Sequence, residues 1–165
     1  MPLHRDSLLA PLFDSFGATG VVAWMGVRPA RRAAMREVTA VAAIADYGLE
    51  GDRAAQTRGG KRQVSLIQFE HLAVIAALCG HSVTPAQLRR NIAVAGINLS
   101  ALHNRRFRIG EVILQGSGYC HPCSRMETTV GAGAFNAMRG HGGITARILH
   151  GGELCIGANI EPLPE

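Results

Sequence analysis

Apolar and polar positions fall into short runs along most of this chain, and glycines separate the runs. Residues 21–27 and 38–45 have the composition of strands, although alanines dilute the second. Gly48-Leu49-Glu50-Gly51-Asp52 then predicts a turn, because its two glycines take positive φ at little cost. Residues 63–67 are short and β-prone. Residues 69–78 are apolar on nearly every face, which predicts a helix buried on most sides and closed by Gly80. Residues 84–90 predict a helical turn, with Thr84 as cap and Pro85 in the first helical position.

Strand character resumes over residues 91–95 and 106–114. In the latter, Arg106 and Arg108 alternate with Phe107 and Ile109, so a period of two sets the arginines on one face. Residues 144–149 and 154–160 read as closing strands, and Gly151-Gly152 between them predicts a hairpin. Seven or so short strands, a few short helices and 20 glycines predict a mostly β, barrel-like fold with short helical insertions. Residues 1–19 read as an N-terminal appendage whose helix spans 8–16, residues 20–160 as one domain, and 161–165 as a tail.

Composition narrows the function classes. A chain of 165 residues with 47% hydrophobic and 18% charged residues suits one globular domain. It has no apolar run of membrane-spanning length, and residues 1–20 lack the basic-then-apolar order of an export signal. Four cysteines in that context are expected to be reduced thiols, which points to the cytoplasm. The net charge of +5 favours anionic partners such as nucleic acid, phosphorylated cofactors or acidic small molecules. Aromatic residues make up only 5%, which counts against binding single-stranded nucleic acid by stacking.

The chemistry concentrates in Cys120-His121-Pro122-Cys123. A Cys-x-x-Cys pair is a redox couple, half of a zinc site, one working thiol beside a bystander, or simply two small packed groups. A thioredoxin-type couple wants a long helix after the motif, where this chain has Gly131 and Gly133. A zinc site wants two more ligands from Cys79, Cys155, His141 or His150, and no second paired motif supplies them. A single thiolate suits a soft metal or carried sulfur, and cations favour its ionisation; Arg125 is near in sequence, and Arg62, Arg89 and Arg147 are candidates to approach in space. The residues alone leave this reading and simple packing evenly balanced. Cys79 and Cys155 read as core, and His71 and His103 as structural or solvated. Gly59-Gly60-Lys61-Arg62 lacks the spacing of a phosphate-binding loop, and Gly131-x-Gly133 lacks the third glycine of a dinucleotide fingerprint.

Together the motifs resemble one family, the MOSC domain, named for the C-terminal domain of molybdenum cofactor sulfurase. The resemblance rests on Gly48-Leu49-Glu50-Gly51-Asp52-Arg53, on Arg62-Gln63-Val64-Ser65-Leu66 with Glu70, and on Leu88-Arg89-Arg90-Asn91-Ile92 with Gly96-Ile97. It continues through Ile109-Gly110-Glu111, Pro122-Cys123, Gly142-Gly143-Ile144-Thr145-Ala146-Arg147-Ile148-Leu149, Gly151-Gly152 and Gly157. Their shared order covers roughly residues 20–160.

The resemblance implies a β-barrel-like fold with Cys123 on a loop, where it ligates molybdenum or carries a persulfide. It also implies molybdenum cofactor (molybdopterin) binding, with Arg62, Arg89, Asn91 and Arg147 holding the anionic pterin phosphate. Relatives reduce N-hydroxylated compounds with electrons from a separate protein, or are proposed to carry sulfur taken from a sulfur donor. A small-molecule substrate is therefore expected, and neither nucleic acid nor membrane. No aminotransferase-like segment accompanies the motifs, which argues against pyridoxal phosphate. Cys120 lies outside the family pattern, as a resolving thiol or a bystander.

Overall fold

Alternation along the strands decides what lies inside. In β7 (Arg106–Ile109), Phe107 and Ile109 are fully buried while Arg106 and Arg108 face out, the split that the period of two predicts. The computed structural model describes residues 7–164. Seven strands close into a barrel in the order β1 (Gly20–Val27), β6 (Ile92–Ala95), β5 (Val64–Gln68), β9 (Ile144–His150), β8 (Val112–Tyr119), β7 and β11 (Asn159–Pro162). The last pairs back onto β1, so the ring leaves no free edge. β2 (Arg36–Glu37) extends β1, and β3 (Ala40–Ile44), β4 (Gly48–Leu49) and β10 (Gly152–Cys155) form a separate three-stranded sheet.

One barrel pairing is parallel, β5 with β6, and such a pair needs a crossover. α2 (His71–Cys79) provides it, ending where Gly80 adopts a left-handed cap. α2, α3 (Arg125–Thr129) and α4 (Ala134–Met138) pack outside the barrel, where Ile75, Met126 and Met138 cover Ile67 of β5 and Ala93 of β6. Leu66, Ile92 and Val94 of the same two strands point into the barrel with Phe107 and Leu114. These two strands are thus buried on both faces, as parallel strands usually are.

Several expectations need correction. Residues 106–114 are two strands, β7 and β8, joined at Gly110-Glu111, because Gly110 takes a φ of 57°. Residues 154–160 likewise split into β10 and β11. Gly151-Gly152 is not a hairpin: β10 pairs with β3, whereas β9 pairs with β5 and β8. The turn expected at 48–52 begins with β4, and Asp52 caps a 3-10 turn over Arg53–Gln56. Residues 84–90 form turns without a helix, although Thr84 and Gln87 make the reciprocal cap bonds. α2 buries only Leu72 and Ile75 and exposes Val74 and Leu78. α1 (Ala10–Phe13) is shorter than the 8–16 expected.

Glu127 explains why helix resumes despite Gly131 and Gly133. Its carboxylate accepts the backbone N–H groups of Gly133 and Phe135 at 2.9 and 2.8 Å, fixing the start of α4. The bonds from Phe135 and then Gly133 hold this carboxyl below its ordinary value of 4.5.

A second polar knot lies where β1, β5 and β6 meet. Asn91 accepts from the Ser65 backbone N and hydroxyl through Oδ1, each at 3.0 Å. Its Nδ2 donates to the Gly26 carbonyl at 3.1 Å and to Asp52 Oδ2 at 2.9 Å. Asp52 also accepts from the backbone N–H groups of Arg28 and Ala54. Both side chains are buried, so every one of these bonds replaces water.

Two predictions follow from these knots. Asp52→Ala leaves buried donors on Asn91 and Arg28 unpaired and should cost about 2–4 kcal/mol in urea unfolding. For Glu127, a depressed folded pKa means stability that is complete above the ordinary carboxylate pKa and is lost as pH falls through the lowered value. Glu127→Gln should therefore flatten the fall of Tm with pH below the 4.5 of a free carboxyl while leaving the slope near neutrality alone.

Candidate functional site

The loop between β8 and α3, residues 120–124, carries the two cysteines of interest, and a buried cation holds it. Arg90 donates from Nη2 to the Cys120 carbonyl at 3.1 Å, from Nε to the Gly142 carbonyl at 2.8 Å, and from Nη1 to the Leu88 carbonyl at 2.9 Å. The backbone N–H of Cys120 donates to the Gly143 carbonyl at 2.9 Å, and that of Met126 closes onto the Cys123 carbonyl at 3.0 Å. The loop is thereby pinned to β9 on one side and to α3 on the other. Cys123 is exposed with a free thiol, and Cys120 is half-buried and also free.

Arginines gather beside Cys123. Arg89 precedes β6 with a φ of 58°, a left-handed conformation that a side chain rarely adopts, and its Nη1 donates to the Ala33 carbonyl at 2.9 Å. Its Nε and Nη2 are buried without an acceptor, and so are Nε of Arg28 and Nε of Arg125. Burial is the main cause that lowers the pKa of Arg89, followed by repulsion from Arg28 and Arg125; the Cys123 charge acts the other way. Arg89 is therefore coupled to two further guanidinium groups and one thiol, and four of the donor nitrogens find no acceptor among the described residues. Buried donors in that state are costly, and a multivalent anion such as a phosphate monoester would satisfy them.

The knot around Asn91 builds this arrangement. Arg28 is the first residue after β1, where Asp52 takes its backbone N–H and Arg53 donates to its carbonyl at 2.8 Å. Arg89 lies two residues before Asn91, whose backbone N–H donates to Ser65. Packing of α3 on the barrel brings Arg125 in.

The residues expected to contact an anion thus divide. Arg89 does line the arginine group. The Asn91 amide is fully spent on protein partners, so it positions the site and has no donor left for a ligand. Arg147 in β9 donates to Asp46 Oδ1 at 3.1 Å, and Arg58 pairs with the other oxygen at 3.1 Å. The two arginines pull the Asp46 carboxyl down, Arg58 first; Arg147 is thus paired through Nη2, while its Nε is buried without a partner among the described residues. Arg62 stands exposed ahead of β5 with no hydrogen bond or ion pair among the described residues.

Arg28 went unseen in the sequence, and Arg125 was visible there only as a neighbour of the thiol. The signal for Arg28 is the β1–β6 register, in which Met25 lies opposite Ile92. Among the described residues no three His, Cys, Asp or Glu side chains assemble as a metal site, so the four-ligand zinc reading has no support. Cys79 is half-buried against the outer core. Cys155 is also half-buried and not the core residue expected, with Sγ 3.4 Å from Glu153, whose carboxylate raises its pKa. No helix among the described residues is long and apolar enough to cross a membrane.

Comparison with known proteins fits this geometry. A family model for the MOSC domain matches residues 51–161. The YuaD protein from Bacillus subtilis is similar in structure, with a TM-score of 0.71 at 18% identity over 88% of this chain and 97% of that one. YiiM from Escherichia coli has a TM-score of 0.68 at 21% identity over 90% of this chain and 71% of that one. YiiM from Geobacillus stearothermophilus has a TM-score of 0.70 at 17% identity, covering 88% and 75%. No curated protein sequence matches the chain.

The arginine group generates a direct test. Arg89→Asn removes the guanidinium but keeps a residue that tolerates the left-handed backbone. It should weaken binding of inorganic phosphate by about 10-fold or more, the loss of two charge-assisted bonds, in calorimetric titration.

Proposed function

Because the chain belongs to the MOSC domain family, which is associated with molybdenum cofactor binding, we propose that it binds this cofactor with Cys123 as the metal ligand. One observation carries the reading: Arg89 feels the charges of Arg28, Arg125 and the exposed Cys123, and four guanidinium nitrogens of these three arginines are buried with no partner among the described residues. The donor set suits both ends of the cofactor, since guanidinium forks match a phosphate and a thiolate matches a soft metal. When bound, the cofactor supplies two-electron redox chemistry at the metal.

The chain's own residues perform the rest. Arg28, Arg89 and Arg125 hold the pterin phosphate. Asn91 and Asp52 hold Arg89 and Arg28 through the backbone. Arg90 fixes the loop, so the thiol is preorganised toward the arginines. The proposed reaction is reduction of a small N-hydroxylated compound, with electrons from a separate donor protein. Arg62 is assigned to the outer rim of the basic face, where an anionic partner first meets it.

A second reading uses the same exposed thiol. Cys123 would carry a persulfide for metal–sulfur centres, with the guanidinium groups stabilising its negative charge.

Molybdenum and pterin content separates the two. After anaerobic expression in a host that loads a known molybdoenzyme, wild type should hold near-stoichiometric metal and Cys123→Ala almost none. Full molybdenum in the mutant would sink the assignment of the ligand. An empty wild type whose Cys123 gains about 32 Da, one sulfur atom, would favour the carrier.

A further inference from the structure

The loop that carries Cys123 has a second side. Tyr119, Cys120, His121 and Pro122 line a cavity of about 330 Å3 in which Cys123 has no part. That volume falls near the lower end of the roughly 300–1,000 Å3 typical of small-molecule sites. None of Arg28, Arg89 and Arg125 lines this cavity.

The lining specifies what would fit. It contains no carboxylate and no guanidinium, so an ion would enter without a counter-charge. Burial, reinforced by His141, pushes the pKa of His71 below its ordinary 6.5 despite Glu70. Gly140, Gly142 and Gly143 present backbone alone to the cavity. Tyr119 stacks on His103 with ring centres 4.3 Å apart and planes within 10°, which fixes the orientation of the phenol ring. His121 tilts toward Tyr119 at 6.4 Å.

Hydrogen-bonding capacity remains unspent here. Gln68 is fully engaged, donating to Glu70 and accepting from the backbone N–H of Leu99. The His71 ring meets His141 edge-on at 4.9 Å but makes no hydrogen bond among the described residues. The Ser100 hydroxyl is equally free, and Nδ1 of His141 is buried without a partner behind His71.

We propose that this cavity binds a neutral, planar, single-ring molecule bearing a hydrogen-bonding oxygen or nitrogen, held by His71 and Ser100 against Tyr119. The proposal stands apart from the reading of Cys123 given above.

Ligand-observed NMR titration of the purified chain tests it with benzamide, N-hydroxybenzamide and benzoate. Both neutral compounds should bind saturably, and benzoate at least ~10-fold more weakly, because its charge finds no partner. Ser100→Phe, at an exposed edge of the cavity, and His71→Phe should each weaken the neutral probes by about 10-fold. Cys123→Ala should bind them as wild type does. Absence of saturable binding by both neutral probes, a preference for benzoate, or indifference to both cavity variants would overturn the proposal.

Discussion

The carboxamide of Asn91 ties three strands together with four hydrogen bonds, and the rest of the molecule is organised around it. Through Ser65 it sets the start of the one parallel pair, β5 with β6. Through Gly26 and Asp52 it sets the end of β1, where the chain leaves the barrel at Arg28. A carboxamide suits this place because it donates twice and accepts twice, and the interior leaves none of those valences unmet. Removing any partner strands a buried polar group, so the knot holds as a unit or fails as one.

Position in the fold then becomes electrostatics. Arg28 and Arg89 are brought together because the strand ends they flank are tied to the same side chain. Packed helices deliver Arg125 and the thiol from the other direction. The repulsion within this group is a cost the barrel bears in the absence of an anion, and the unusual φ of Arg89 adds to it. Strain and unpaired charge at one exposed thiol are how a binding site differs from a stabilising surface cluster. The ion pairs of Arg58, Arg108 and Arg147 with Asp46 and Glu161 are of the latter kind.

Much of this was legible in the residues, for reasons that can be named. Period-two alternation at 106–109 and β-rich runs at 21–27, 63–67, 91–95 and 144–149 fall on strands, because inside and outside differ only by side chain there. Boundaries were less legible. Nothing in the local pattern at 106–114 distinguishes one strand from two, since a glycine turn takes up only two positions. The role of Gly151-Gly152 depends on which strand comes alongside, and that is settled by the three-stranded sheet. Cys123 stood out by motif, whereas Arg28 did not, because its nearness to Arg89 depends on a register between segments more than sixty residues apart. Asn91 and Arg147 show what a motif does not reveal: the fold spends the whole Asn91 amide on protein partners and pairs Nη2 of Arg147 with Asp46.

Arg90 has a bearing on how the protein ages and fails. A single buried guanidinium spans the loop at Cys120, the turn at Gly142 and the approach to β6 at Leu88. The thiol loop cannot lift away without breaking the bond from that cation to the Cys120 carbonyl and the one from the Cys120 backbone N–H to Gly143, which leaves a buried guanidinium one acceptor short. Partial opening around the thiol therefore carries the cost of an unpaired buried donor on top of the lost backbone bond, and the loop is held closer to the barrel than its exposed thiol suggests.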